Sequence, residues 1–175
     1  MVATWRSAYA GVLPDDYLAG LAIEPRARRT RELLAEGVRF ALVAVDERSR
    51  VFGVASAGPE RGDDPRYEGE LTALYVLPEH QRQGAGSALV EAAAAELAAR
   101  GMRSMIVWVL AANRARDFYE RLGGVYVREQ QLEIAGVTLP EVAYGWASTD
   151  MLVVAHRRRE AARKGRQEDG VGEGV

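Results

Sequence analysis

The stretch Pro78-Glu79-His80-Gln81-Arg82-Gln83-Gly84-Ala85-Gly86-Ser87 stands between an apolar run, Glu70 to Leu77 (ELTALYVL), and the most regular helical pattern in the chain, Gly86 to Arg100 (GSALVEAAAAELAAR). The run has the composition of a strand that Pro78 closes. In the second segment Leu89, Val90, Ala93 and Leu97 share one helical face, and Gly101 supplies the stop. Glycines between a strand and a helix let backbone N–H groups turn toward one point, and the helix N-terminus adds positive potential. The loop therefore suits an anion such as a pyrophosphate, with Arg82 available for a direct contact. A tight strand-to-helix turn would also account for Gly84 and Gly86. A P-loop would need a lysine before Ser87, and a dinucleotide fingerprint would need a glycine where Leu89 stands.

Outward from this loop, Ser104 to Leu110 (SMIVWVL) is a continuous apolar run, as expected of a central strand. Strand, helix and strand in that order form a crossover, so the Glu70 and Ser104 strands are expected to run parallel. Upstream, Arg39 to Asp46 and Val51 to Gly58 read as a hairpin, and Pro25 to Glu36 as a helix ended by Gly37. Thr4 to Leu21 reads as two short helices broken at Pro14, the second capped by Asp15 or Asp16. Gly58 to Gly69 (GPERGDDPRYEG) is a polar loop long enough to be functional. Downstream, Asn113 to Leu122 forms a short helix, and Val125 to Ile134 with Glu141 to Trp146 a terminal hairpin about Gly136.

The 175 residues give one domain with room for a core, and a net charge of −2 argues against a nucleic-acid binder. With no cysteine, disulfides, thiolate zinc sites and cysteine nucleophiles are excluded. No apolar run reaches the roughly 20 residues of a membrane span, and no secretion signal opens the chain, so a cytoplasmic location is the expectation. His80 and His156 are far apart in sequence and suggest no metal site. The run Arg157-Arg158-Arg159…Arg163-Lys164-Arg166 lacks interleaved aromatics and reads as a solubilising tail.

The motif Gln81-Arg82-Gln83-Gly84-Ala85-Gly86, after a strand ending Leu74-Tyr75-Val76-x-Pro78, resembles motif A of the GNAT superfamily of acyl-CoA-dependent N-acetyltransferases. Asn113 followed by Phe118-Tyr119-Glu120-Arg121-Leu122-Gly123 is similar to the family's later Asn…Phe-Tyr-Glu helix. Trp5-Arg6-x-x-Tyr9-x-Gly11-x-Leu13-Pro14-Asp15 and Ala143-Tyr144-Gly145-Trp146 resemble members of one bacterial branch. The likeness covers residues 4–146. Asn113 stands one residue nearer Phe118 than the general pattern has it, and Gly124 replaces the usual phenylalanine.

The resemblance implies an α/β (α+β) fold: a mixed, mainly antiparallel sheet splayed at its centre, with helices on both faces. Residues 1–146 would form the N-acetyltransferase domain, and 147–175 an appendage with a charged tail expected to be disordered. The family's first strand has no counterpart before Trp5, which leaves three expectations: a start lying upstream, a sheet without that edge strand, or Met151 to Ala155 folded back over the edge; an uncovered edge admits a homodimer. The implied co-substrate is acetyl-CoA, with no metal, and the acceptor an amine on a small molecule or peptide. Backbone groups of Leu74, Tyr75 and Val76 would hold the pantetheine arm, with the Val76 N–H on the thioester carbonyl. Backbone N–H groups from Gln81 to Ser87, that is Gln81, Arg82, Gln83, Gly84, Ala85, Gly86 and Ser87, would hold the pyrophosphate, and Asn113 would touch the arm or cap its helix.

Tyr119 matches the family's tyrosine that gives a proton to the departing thiolate, although Phe118 and Tyr119 also fit simple packing aromatics. Glu70 is the carboxylate placed to face the splay and take the amine's proton, with Glu68 as a substitute. Glu70 equally fits an exposed glutamate at a strand edge. Asp63, Asp64 and Glu68 favour a cationic amine. The alternative function is a CoA-binding or regulatory protein without catalysis.

Overall fold

In the computed structural model, Val2, Arg6 and residues 9–62 and 64–169 are described. Trp5 and Asp63, most of residues 1–8 where the first of the two short helices is expected to begin, and the last residues of the tail lie outside them. Six strands, β1 (Phe40–Val45), β2 (Val51–Pro59), β3 (Gly69–Val76), β4 (Met105–Leu110), β5 (Val125–Ile134) and β6 (Val137–Trp146), form one sheet ordered β1-β2-β3-β4-β6-β5. All neighbours are antiparallel except β3 and β4. The parallel pair follows from the crossover through α3 (Ala85–Ala99), which α1 (Asp15–Ala19) and α2 (Ile23–Ala35) precede in the chain. Helices α4 (Arg116–Arg121) and α5 (Asp150–Asp169) complete the structure.

The central feature is a separation within the sheet. β3 pairs with β4 only at Gly69↔Met105, Glu70↔Ile106 and Leu71↔Val107, and beyond these the strands diverge. The register between β2 and β3 steps from Ala57↔Leu71 to Ser56↔Ala73, leaving Thr72 as a bulged residue where the divergence begins. A bulge bends its strand and increases its twist, which carries the end of β3 away from β4. Thr72 Oγ1 donates to the Ser56 carbonyl at 3.1 Å and fixes the bulge.

On one face, the apolar side of α3 buries Leu89, Val90, Ala93 and Leu97 against β1 to β3. On the other face Leu13, Leu18 and Leu21 form a smaller cluster with Ile134 and Leu139 from the distal end of the β5–β6 hairpin. Ala135 and Gly136, with φ of 55° and 76°, make the two-residue turn of that hairpin. Pro14, not Asp15 or Asp16, holds the N-cap position of α1, without a side-chain cap. Pro14 fixes φ near −55°, so the helix can begin directly behind it. At the other end of α1, Arg6 donates to the carbonyls of Leu18, Ala19 and Leu21, satisfying acceptors that the helix leaves open.

Up to residue 169 the tail expected to be disordered is helical instead. Residues 150–169 form α5, which packs on α3. Thr149 is fully buried and bonds the Arg103 carbonyl through its N–H (2.8 Å) and hydroxyl (3.1 Å), and Leu152 joins the main core. Arg159, within the run read as solubilising, closes a two-bond pair on the buried Glu91 of α3 at 2.6 and 3.1 Å. Because Met151 to Ala155 turn onto α3, they do not cover the edge of β1. Among the described residues no strand precedes β1, and Val43 and Val45 on it are exposed.

Candidate active site

The divergence of β3 and β4 opens a cavity of about 950 Å³ that runs from the loop before α3 to the end of β4 and the middle of β6. At the loop end, a 3-10 turn at Pro78–His80 and the left-handed Gly84, φ 88°, steer the chain into α3. Gly84 brings no capping side chain and the first turn of α3 holds no acidic residue. The first intrahelical bond runs from Ala88 N to Gly84 O, so the N–H groups of Ala85, Gly86 and Ser87 are left for another partner. This is a donor set for an anion. Gln81, Arg82, Gly84, Gly86 and Ser87 line the cavity; Gln83 and Ala85 do not, and the Gln83 amide is held by the Glu79 carbonyl at 3.0 Å. His80 stacks on Phe52 at 4.3 Å, away from any ligand role.

Leu74, Tyr75 and Val76 all line the cavity. Leu77 N donates to Phe52 O on β2, so by strand alternation the main-chain groups of Val76 and Leu74 face the gap while those of Tyr75 face β2. The Gln81 amide donates to the Val76 carbonyl at 2.9 Å, consistent with this direction. Tyr75 therefore contributes its side chain to the cavity, and its backbone, predicted to hold the arm, is turned toward β2.

Tyr119 lies at the gap, 5 % exposed, with Phe118 and Trp146 packed edge-on to it. Its hydroxyl has no hydrogen-bond partner among the described residues, and burial raises its pKa well above the ordinary tyrosine value, with smaller contributions from Tyr9 and Tyr75. Behind it, Tyr144 donates to Glu120 at 2.6 Å and accepts from Arg116 at 3.2 Å, tying α4 to β6. Asn113 has two tasks: its Oδ1 accepts from Ala115 N at 2.9 Å, and its amide donates to the Tyr9 hydroxyl at 3.3 Å inside the cavity. Burial raises the Tyr9 pKa, a rise opposed by the Asn113 bond.

Glu70 is 2 % exposed and lines the cavity, so it is not an exposed edge glutamate. Both its oxygens accept from Arg61 on the 60–68 loop, Oε2 from Nε at 2.8 Å and Oε1 from Nη2 at 2.5 Å. That pairing raises the Arg61 pKa. Glu68 does not reach the cavity lining; its carboxylate, just before β3 begins, accepts the Arg103 N–H. Asp64 is taken up by Arg66 at 2.8 and 2.9 Å, which holds its carboxyl down at about 2. A further carboxylate, Glu141 on β6, lines the cavity at 8 % exposure beside Arg61 and Tyr9. A charge opening the apolar run Glu141 to Trp146 was the available signal for it.

The family described as FR47-like protein matches residues 64–132. The chain is 42 % identical over 151 residues to the uncharacterized N-acetyltransferase YuaI of Bacillus subtilis strain 168, spanning 86 % of each chain. The chain belongs to the GNAT N-acetyltransferases. Solved GNAT folds agree with its architecture. A ribosomal-protein-alanine N-acetyltransferase from Brucella melitensis superposes with a TM-score of 0.62 at 22 % identity, covering 83 % of this chain and 90 % of the other. A GNAT phosphinothricin acetyltransferase from Sinorhizobium meliloti, in complex with AcCoA, gives 0.57 at 24 %, covering 72 % and 69 %. Membership makes this GNAT protein an acyltransferase, against the alternative of a non-catalytic CoA binder. Its Gly124 has a packing cause: a Cβ there would stand 2.9 Å from both the Trp146 ring and the Tyr119 carbonyl, so the indole fills this space. No group of three or more His, Cys, Asp or Glu able to hold a metal occurs among the described residues, and no described helix is long and apolar enough to cross a membrane.

Proposed function

We propose that this GNAT transferase moves the acetyl group of acetyl-CoA to a primary amine by direct attack in a ternary complex within the cavity. The observation that carries the proposal is the gap between β3 and β4, with free donors at one end and Tyr119 and Glu70 toward the other. The free N–H groups at the start of α3, with Arg82, hold the pyrophosphate. Leu74 and Val76 hold the pantetheine arm by main-chain bonds, and the Val76 N–H polarises the thioester carbonyl. Asn113 fixes Tyr9 beside that arm.

The amine nitrogen attacks the thioester carbon, the C–S bond breaks, and the sulfur leaves as charge develops on it. Tyr119, kept protonated by burial, donates to that sulfur, in surroundings that penalise a bare thiolate. The nitrogen must lose its proton to attack; Glu70 receives it and releases it to water before the next turnover, and the carboxylate so restored re-forms its pair with Arg61. The absence of cysteine supports direct transfer over a thioester on the protein. Free-thiol release from acetyl-CoA over a panel of primary amines tests the proposal: amine-dependent release is expected, and acetyl-CoA binding without release for any amine overturns it.

A further inference from the structure

At the acceptor end of the cavity two buried carboxylates, Glu70 and Glu141, face one guanidinium. Arg61 commits both Nε and Nη2 to Glu70. Glu141, 8 % exposed, keeps a single hydrogen bond, from the Gln130 amide to Oε1 at 2.7 Å, and no cation lies within ion-pair distance of it among the described residues. Its other oxygen is without a partner among those residues. Burying a carboxylate this far with one neutral donor is costly unless a positive group completes the site. Glu141 adjoins Leu110 on β4, and Leu132 and Ile134 on β5 line the same cavity with apolar surface.

We propose that Glu141 is the specificity-determining residue that binds the ammonium of the acceptor, and that the acceptor is a primary alkylamine carrying no carboxylate beside its nitrogen. The proposal rests on the acetyltransferase reading of the cavity and deepens it by naming the acceptor class. The ammonium completes the hydrogen bonding of Glu141, and the alkyl stem lies on Leu132 and Ile134. An α-amino acid places its own carboxylate against Glu141, with Arg61 already engaged, and is rejected. Of the acidic residues that sequence alone connects with a cationic acceptor, Asp64 and Glu68 are occupied by Arg66 and by the Arg103 N–H, and Asp63 lies outside the described residues.

The test is a calorimetric titration of the full chain, alone and with CoA, using 3-methylbutylamine and leucine, which share a stem and differ by the carboxylate. The wild type is expected to bind the amine at least roughly tenfold tighter than leucine, and Glu141→Gln to lose at least roughly tenfold of the amine affinity, the scale of one charge-assisted bond. Equal affinity for the two compounds, no amine binding, or undiminished amine binding by Glu141→Gln overturns the assignment. Should that variant fail to fold, the wild-type amine-to-leucine ratio still decides. Acetyl-CoA titration is read separately: its failure removes the transferase reading while the amine titration of the free protein still judges Glu141.

Discussion

The two ends of the cavity are built from different materials. The loop end is made of backbone: an uncapped α3, a left-handed Gly84, and main-chain groups of β3 freed by the bulge at Thr72. The acceptor end is made of side chains brought from remote parts of the chain: Tyr9 before α1, Arg61 in the 60–68 loop, Glu70 on β3, Tyr119 on α4 and Glu141 on β6. A backbone site depends on conformation and tolerates changes of side chain, whereas a side-chain site changes with each substitution. One scaffold can therefore keep its donor and alter its acceptor.

The largest effect is expected where a single side chain carries the chemistry. Tyr119→Phe is expected to lower kcat at least roughly tenfold, the lower range for a lost proton donor, while calorimetry finds acetyl-CoA affinity retained. Because burial raises the Tyr119 pKa, kcat should show no loss from its ionisation between pH 7 and about 10, the ordinary tyrosine value. At the backbone end the order should reverse. Gly84→Val, forcing a β-branched residue into φ 88°, is expected to weaken acetyl-CoA roughly tenfold, while Arg82→Ala weakens it only about two- to threefold. Equal losses would show that the loop binds through its arginine.

Smaller effects test the acceptor end as structure. Glu70→Gln leaves Arg61 without its carboxylate, and since Arg61 is about half exposed the cost in thermal unfolding should be roughly 1–2 kcal/mol, below that of a fully buried pair. The weakest effect concerns the loop that presents Arg61. Asp64 titrates near 2 in the folded protein against the ordinary 3.8, so its contribution is present above 3.8 and disappears as pH falls through about 2. Thermal unfolding followed over that window should lose this part of its slope in Asp64→Asn.

What could be read from the sequence follows the same division. The glycine loop, the crossover and the apolar pattern of α3 are local signals, and they located the loop end and the parallel pair within a residue or so at each boundary. Tyr119, Asn113 and Glu70 reach the cavity because their motif and strand place them there. The partners of Glu70 and the burial of Glu141 depend on the 60–68 loop folding over the sheet, which no spacing along the chain encodes. For the same reason Arg159 in a basic run reads as solvated until α3 presents the buried Glu91 to it.

The central claim is that acetyl passes directly from acetyl-CoA to an amine at this gap. Mass measurement of the intact protein and of the amine, after mixing with acetyl-CoA, tests it most directly. Acetylated amine, unmodified protein and no thiol release when amine is omitted are expected. Acetylated protein formed without amine, and discharged when amine is added, would contradict it.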